Sequence, residues 1–153
     1  MNRLADLPLP LPDAMTQAFW EACRQHRLSL QRCTHCSKFR FYPCAACPHC
    51  SSTDCDWETV SGRGTIYSWI VVEKTHDPYW RQHVPYVCAI VELHEQEDLF
   101  MPGLLTGIEP RDVYAEMPVE VFFEEASPAI SLPRWRPEKS DHSRAWLGDR
   151  FSR

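Results

Sequence analysis

Two pairs of cysteines, each with two residues between its members, constrain the fold of this chain more than any other feature. Cys33-Thr-His-Cys36 and Cys47-Pro-His-Cys50 are separated by ten residues. Each pair can place two thiolates on one side of a tight turn, and two facing turns complete a tetrahedral shell of four sulfur atoms. The spacing predicts a zinc ribbon with one structural zinc ion. Because four thiolates leave no position for water, we expect this zinc to stabilise the fold and not to catalyse hydrolysis.

Two alternatives remain open at this site. Tetrahedral thiolates also bind iron, so zinc is the default and not the only metal that the ligand set fits. Cys44 forms a third, overlapping CxxC pair with Cys47, and a quartet of residues 33, 36, 44 and 47 is conceivable. We favour Cys50 because Cys47-Pro-His-Cys50-Ser-Ser mirrors Cys33-Thr-His-Cys36-Ser-Lys. Cys44 is then either a reactive thiol or a spare thiol beside the metal.

The number of cysteines and the N-terminal sequence indicate the redox environment of the chain. Eight cysteines in 153 residues suit either a disulfide framework in a secreted protein or a metal site in a reducing compartment. Pro8, Pro10 and Pro12 interrupt the apolar run that a signal peptide would need. No stretch approaches the roughly 18 apolar residues of a membrane span. We therefore expect a cytoplasmic chain with reduced thiols and no membrane association.

The patterning divides the chain into four segments. We predict an extended arm and an N-terminal helix over 1–27, the zinc ribbon over 28–60, a β domain over 61–137 and a charged tail over 138–153. Helical spacing of apolar residues extends over Asp13–Arg27, with Asp13 or Thr16 as the N-cap. The β domain contains five strand-like runs and no long helix, which favours a small five-stranded OB-fold barrel. The runs are Gly64–Glu73, Tyr86–Leu93, Leu99–Leu105, Val119–Phe123 and Ala129–Trp135.

The loop Thr75–Tyr86 is the strongest candidate for ligand binding. Its sequence, THDPYWRQHVPY, concentrates aromatic residues between two predicted strands at the barrel mouth. Tyr79 and Trp80 could stack on a flat ring, and Arg63 or Arg81 could meet a phosphate. The alternative is a loop that only covers the open end of the barrel. No nucleophile elbow, P-loop or dinucleotide fingerprint is present in the sequence.

The ordered set of motifs is more specific than the cysteines alone. FWEACRQHRLSLQRCTHC, CPHCSSTDCDWETVSGRGTIYSWIVV, VPYVCAIVEL, MPVEVFF and LPRWRP together resemble the zinc-ribbon/OB-fold acyl-CoA-associated proteins, domain of unknown function 35. The likeness covers about Met15–Pro137. It implies a rubredoxin-like zinc ribbon, a C-terminal OB-fold, acyl-CoA binding and partnership with thiolase-like, sterol-carrier-type or hydratase enzymes. Ser37 and Ser51 stand where the family usually has Gly, so the cysteine turns would need a positive φ from Ser.

The resemblance also assigns residues to the two sites. The implied zinc ligands are Cys33, Cys36, Cys47 and Cys50. The implied groove-lining segment contains Pro78, Tyr79 and Pro85–Tyr86. Together with the candidates for stacking and for phosphate binding, it gives the predicted ligand-binding set: Arg63, Pro78, Tyr79, Trp80 and Tyr86.

These expectations favour a non-catalytic accessory subunit. It would bind acyl-CoA and dock onto a thiolase-like, aldolase or hydratase partner in a hetero-oligomer. A nucleic-acid-binding OB-fold and zinc-ribbon module is the first alternative, although the formal charge of −5 disfavours a general phosphate-backbone binder. A small acyl-CoA hydratase or lyase is the second alternative, and no acid/base pair in the sequence identifies one.

Overall fold

The computed structural model describes residues 7–139 and contains one α-helix and eight strands. Most of the predicted tail, from residue 140 onward, lies outside the described residues, as do residues 1–6. No helix within 7–139 combines the length and the apolar character needed to cross a membrane. The elements are α1 Gln17–Arg24, β1 Ser29–Cys33, β2 Phe39–Arg40, β3 Cys55–Thr59, β4 Arg63–Val72, β5 Tyr86–Leu93, β6 Phe100–Leu105, β7 Pro118–Ser127 and β8 Ile130–Pro137.

Helix α1 begins after Thr16, the later of the two predicted N-caps, and ends at Arg24, before the predicted end at Arg27; each end has a local cause. Asp13 Oδ1 accepts hydrogen bonds from the backbone N–H groups of Met15 (3.0 Å) and Thr16 (2.9 Å), which closes a turn before the helix begins. At the C-terminal end His26 has a φ of 56°. The N–H of Arg27 returns to the carbonyl of Ala22, which together with His26 forms a Schellman motif that ends the helix.

The zinc-ribbon segment forms a three-stranded antiparallel sheet in the order β2-β1-β3. Gln31 of β1 pairs with Arg40 of β2, and Cys33 at the end of β1 pairs with Cys55 at the start of β3. Leu30 and Phe39 are buried, and the apolar face of α1 packs into the same core through Phe19. The sheet is small, so its own burial is limited, and the ribbon depends on the cysteine cluster and on its neighbours.

Strands β4 to β8 form a closed five-stranded barrel in the order β4-β5-β6-β8-β7, as the OB-fold prediction requires. The antiparallel pairs β4–β5, β5–β6 and β7–β8 are extensive, whereas β6 and β8 join in parallel through the single pair Leu105–Trp135. Trp135 is fully buried inside the barrel. Gly103 lies against this indole, since a Cβ at position 103 would meet Trp135 Cδ1 at 2.7 Å.

The ribbon and the barrel share one hydrophobic core. A polar contact joins them at the surface of that core: the Gln96 side chain, from the turn between β5 and β6, pairs with the backbone of Phe39 in β2. Gln96 Oε1 accepts from the Phe39 N–H at 2.8 Å, and Gln96 Nε2 donates to the Phe39 carbonyl at 3.2 Å. The carboxamide therefore replaces a neighbouring strand at that edge of the ribbon.

Candidate metal centre and ligand cavity

The two cysteine pairs form the same turn twice. Ser37 N–H donates to the Cys33 carbonyl at 2.9 Å, and Ser51 N–H donates to the Cys47 carbonyl at 2.8 Å. Ser37 and Ser51 have φ values of 61° and 62°, which confirms the positive φ that the sequence predicts at these positions. Each turn presents its two sulfur atoms to the other turn, so the repeated motif creates one site from two local pieces.

The four sulfur atoms of this site lie within 4.8 Å of one another. Cys33 Sγ and Cys50 Sγ are 3.6 Å apart, as are Cys36 Sγ and Cys47 Sγ. A tetrahedral zinc with bonds of about 2.3 Å needs sulfur–sulfur edges of about 3.8 Å, so the cluster fits one zinc ion. Cys44 is outside this cluster, and its thiol donates to the Ala46 carbonyl at 3.2 Å. The quartet that the structure brings together is therefore the favoured one.

Backbone donors prepare the sulfur atoms to carry negative charge. The N–H groups of Cys36 and His35 lower the pKa of the Cys33 thiol to about 6. At Cys47 burial raises the pKa, but hydrogen bonds from the backbone of His49 and Cys50 outweigh it and the pKa falls overall. Such donors favour the thiolate. A bound zinc ion would supply the positive charge and the covalent cross-link between the two turns.

The Cys50 thiol shows why a cation belongs here. The backbone N–H of Ser52 lowers its pKa, yet burial and the sulfur atoms of Cys36, Cys33 and Cys47 together raise it to about 12. Four thiolates this close repel one another, so one sulfur retains its proton until a cation compensates the charge. The donor set and its electrostatics both fit a structural zinc.

A second site is a cavity of about 470 Å³ where the aromatic loop meets the outer side of the barrel. Three of the five predicted ligand-binding residues line it: Tyr79, Trp80 and Tyr86. Ten of the fourteen residues that line it are apolar or aromatic, as is common for small-molecule sites, and polar atoms contribute about half of its exposed wall. The other lining residues are His83, Pro85, Val87, Leu104, Leu105, Thr106, Ile108, Pro110, Phe122, Glu124 and Arg134.

The aromatic loop is held in place by its own contacts. Asp77 Oδ1 accepts from the backbone N–H groups of Tyr79 (2.9 Å) and Trp80 (3.0 Å) and starts a 3₁₀ turn over Trp80–Gln82. The Tyr79 and His83 rings stack with centroids 4.5 Å apart, and Trp80 lies 5.0 Å from Tyr86. The loop therefore presents a preformed aromatic wall to the cavity.

Sequence reasoning missed the charged pair of the cavity, Arg134 and Glu124. Arg134 Nε donates to Glu124 Oε2 at 2.9 Å, and the guanidinium lies 5.9 Å from the Trp80 ring centroid. The Arg134 side chain is only 11% exposed. The available signal was the alternation in Pro-Arg-Trp-Arg-Pro, because an inward Trp135 requires Arg134 to face outward, toward the loop.

Two predicted ligand-binding residues lie elsewhere. Arg63 is at the start of β4 and pairs with Glu138 at 3.3 Å. The aromatic loop follows the other end of this ten-residue strand, and Arg63 is not among the residues that line the large cavity. Pro78 lines a smaller cavity of about 310 Å³ on another side of the loop, together with Asp77, Tyr79 and Gln82. Arg81 is exposed and does not line the large cavity.

Comparison with known proteins places these sites in a family. Residues 20–56 match the rubredoxin-like zinc ribbon domain of ChsH2, and residues 57–124 match the C-terminal OB-fold domain of ChsH2. A solved structure named the Ltp2-ChsH2(DUF35) aldolase has a chain with 37% identity and a TM-score of 0.75, over 84% of this chain and 98% of that one. A DUF35 protein of unknown function from Sulfolobus solfataricus, at 11% identity and a TM-score of 0.55, covers 82% of this chain and 86% of its own and shares the fold.

Two curated relatives are longer proteins. A probable enoyl-CoA hydratase alpha subunit of Thermomonospora curvata is 43% identical over 78% of this chain, which spans 37% of that protein. The 3-oxo-4,17-pregnadiene-20-carboxyl-CoA hydratase alpha subunit of Mycobacterium tuberculosis is 34% identical over 84% of this chain, which spans 42% of that protein. With both of its domains matched and the solved relative covered almost entirely, the chain belongs to the ChsH2/DUF35 family of zinc-ribbon and OB-fold proteins.

Proposed function

We propose that this protein is a non-catalytic accessory subunit that binds an acyl-CoA and docks onto an acyl-CoA enzyme of the aldolase or hydratase type. The observation that carries the proposal is the cavity between the aromatic loop and the barrel. Its volume of about 470 Å³ and its aromatic and apolar wall suit the apolar part of a thioester ligand. The zinc ribbon supports the barrel and takes no part in chemistry.

The charges of the cavity indicate which part of acyl-CoA it accepts. Among the residues that line it, Arg134 is paired with Glu124, so the two charges compensate each other. A phosphate group would need uncompensated cations. We therefore place the acyl group and the adjoining pantetheine arm in the cavity and leave the phosphates outside it. Tyr79, Trp80 and Tyr86 supply the wall, and Arg134 holds Trp80 in position.

The names of the relatives support a partner enzyme. Two are alpha subunits of CoA hydratases, and the solved relative belongs to an assembly named for Ltp2 and ChsH2. A subunit that lacks its own catalytic groups would contribute binding surface to such an assembly.

Nucleic acid is a poorer ligand for this barrel. An OB-fold presents strands such as β5 and β6 to its ligand. Neither strand contains a Lys or an Arg, since the sequence has none between Arg81 and Arg111. Single-stranded nucleic acids need a positively charged groove.

Titration with octanoyl-CoA tests ligand binding. Replacing Trp80 with Ala removes the largest aromatic wall and is expected to weaken binding by tenfold or more, about 1.4 kcal/mol. Arg81→Gln is the matched control, because Arg81 is in the same loop but does not line the cavity. Equal affinity of the Trp80 variant and the wild type would contradict this assignment.

Copurification and turnover test the accessory role. The tagged protein is expected to retain an acyl-CoA enzyme that mass spectrometry identifies, and the protein alone is expected to leave enoyl-CoA and β-hydroxyacyl-CoA substrates unchanged. Turnover of either substrate by the purified chain would overturn the non-catalytic reading.

A further inference from the structure

The outer surface of β4, β5 and β6 is apolar although much of it faces solvent. The pairing places Ile70, Cys88 and Leu104 in one row across the three strands, and Ser68, Ile90 and Pro102 in the next. Tyr67 adds its ring at 4.6 Å from that of Phe100. We name this surface the outer sheet face and define it by Tyr67, Ile70, Cys88, Ile90, Phe100, Pro102 and Leu104.

Three large apolar side chains on this face are well exposed to solvent. Tyr67 and Ile70 are each 62% exposed and Ile90 is 40% exposed. The seven residues lie on three neighbouring strands and span five residues along the longest, which gives about 16 by 14 Å, on the order of 200 Å². The largest apolar patch on a protein surface is often a functional one. A stable interface buries about 800 Å² on each partner, so the face would be the apolar centre of a larger contact.

One end of the face is acidic. Glu92 lies in the row next to Phe100, and its Oε1 accepts from the Asp98 N–H at 2.9 Å, which holds both residues at one end of the face. Between Arg81 and Arg111 the sequence has no Lys or Arg, while it has the carboxylates Glu92, Glu95, Glu97, Asp98 and Glu109. Two copies of the chain meeting here would bring like charges together. A partner with an apolar patch flanked by Lys or Arg would gain attraction instead.

The face is also continuous with the ligand cavity. Leu104 belongs to both, and Tyr86, which lines the cavity, pairs with Val72 two positions beyond the pair Ile70–Cys88 and therefore on the same side of the sheet. A protein seated on the face would therefore reach the mouth of the cavity.

We propose that the outer sheet face is the surface on which the partner enzyme docks, and that the partner meets it with an apolar patch bordered by basic residues. The inference rests on the proposed function and specifies its interface. It places the cavity at the edge of the interface, so that a bound acyl-CoA lies beside the partner. The outer sheet face belongs to the barrel alone, so docking on it does not require a contact between the partner and the zinc ribbon.

The experiment measures binding of the full chain to purified Ltp2, the other component in the name of the 37% identical relative's assembly. Ile70→Asp and Ile90→Asp place a carboxylate on the face and are each expected to weaken binding by a hundredfold or more. Leu11→Asp is the matched control, because Leu11 is 92% exposed and lies in the N-terminal arm, outside the face. Zinc content and thermal melting show whether each variant is folded.

A second measurement uses the wild-type chain and does not depend on variants. Cys88 lies within the outer sheet face and Cys44 lies in the ribbon, so alkylation by N-ethylmaleimide reports on both regions. Ltp2 is expected to protect Cys88 at least fivefold and to leave Cys44 unchanged. Sedimentation of the chain alone shows whether a second copy covers the face.

The outcomes separate the interface from the function. If Ltp2 binds both Asp variants as well as the wild type and leaves Cys88 reactive, the interface is wrong and the docking function stands. If the wild type neither binds Ltp2 nor copurifies with another acyl-CoA enzyme, the docking function fails and the inference fails with it. Self-association of the wild type that Ile90→Asp abolishes would assign the face to a second copy and overturn the proposal.

Discussion

Ser37 and Ser51 hold backbone conformations that glycine adopts more readily, at φ values of 61° and 62°. A residue with a side chain pays about 1–2 kcal/mol to adopt this conformation. Glycine avoids that cost, but it also makes the unfolded chain more flexible, which cancels part of the stabilisation. We predict that Ser37→Gly stabilises the zinc-loaded protein by about 0.5–1 kcal/mol in urea unfolding. Ser52→Gly is the control, since Ser52 is not among the residues with positive φ, and it should give no gain. Destabilisation by Ser37→Gly would show that the hydroxyl matters more than the backbone.

Cys23 gives the protein a dependence on alkaline pH. Burial of its thiol in the core raises its pKa to about 12, well above the unfolded value of about 8.5. The neutral thiol is therefore favoured in the fold. Its contribution to stability is complete below about pH 8.5 and is lost as pH rises toward 12, with a slope of at most about 1.4 kcal/mol per pH unit.

Urea unfolding between pH 8 and 11 checks this dependence. Cys23→Ala is expected to flatten the decline in the free energy of unfolding, while Leu28→Ala, a truncation in the same core that removes no titratable group, should lower the free energy and leave its slope with pH unchanged. Identical slopes for the wild type and Cys23→Ala would contradict the assignment of the effect to this thiol.

The metal ligands could be predicted from sequence because each turn is local. Cys33 and Cys36 are three residues apart, so spacing alone brings them together. The choice between Cys44 and Cys50 depends on which residues begin the second turn. The hydrogen bond from Ser51 to the Cys47 carbonyl decides it, and the mirrored residues after each pair were the only sequence signal for that bond.

Strand β6 approaches the centre of the barrel at Gly103, where only a hydrogen atom fits against Trp135. We predict that Gly103→Ala destabilises the protein by about 1–3 kcal/mol, because the buried indole has no room to move. Trp135→Phe in the same chain should recover part of that loss, and a double-mutant cycle in urea unfolding measures the coupling. Additive effects of the two substitutions would show that the contact is not the cause.

The bounds of the barrel strands were predictable to within a few residues, but the pairing between the strands was not. Alternation identified each barrel strand, but β7 extends to Ser127, beyond the predicted end at Phe123. That extension adds Glu124, which pairs with Leu132 of β8, while the pair Phe122–Arg134 brings Arg134 to the cavity. Contacts of this kind depend on strand register, and the sequence of a single strand does not determine its register with a neighbouring strand. Arg63 and the aromatic loop lie at opposite ends of β4, a separation that their closeness in sequence does not reveal.

Gln96 links the ribbon to the barrel, and its loss should affect the whole molecule. In Gln96→Ala the N–H and carbonyl of Phe39 lose their partners, which costs about 1–3 kcal/mol. We expect a lower midpoint in urea and a several-fold faster release of zinc to a chelator, because the edge of the ribbon becomes free to open. Gln82→Ala is the control, since the Gln82 side-chain amide donates to the Pro78 carbonyl within the aromatic loop, away from the ribbon. An unchanged rate of zinc release would show that the ribbon closes independently of the barrel.

The arrangement of the two domains was the least predictable feature. Gln96 stands in a polar turn, His94-Glu-Gln-Glu-Asp98, and nothing in that sequence distinguishes a solvent-exposed glutamine from one that completes a sheet 57 residues away. The domain types follow from local patterns. Their contact depends on side chains that meet only after both have folded.

The barrel closes between β6 and β8 by a single parallel pair, Leu105–Trp135, with the Thr106 N–H donating to the Trp135 carbonyl at 2.9 Å. A ring that is closed at one point opens most easily there, and amide hydrogen exchange at Thr106 measures how often it opens. The ligand cavity lies over this junction, since Leu105, Thr106 and Arg134 all line it. A molecule bound across β6 and β8 would hold the two strands together. Its binding would therefore be measurable as slower hydrogen exchange of the Thr106 amide.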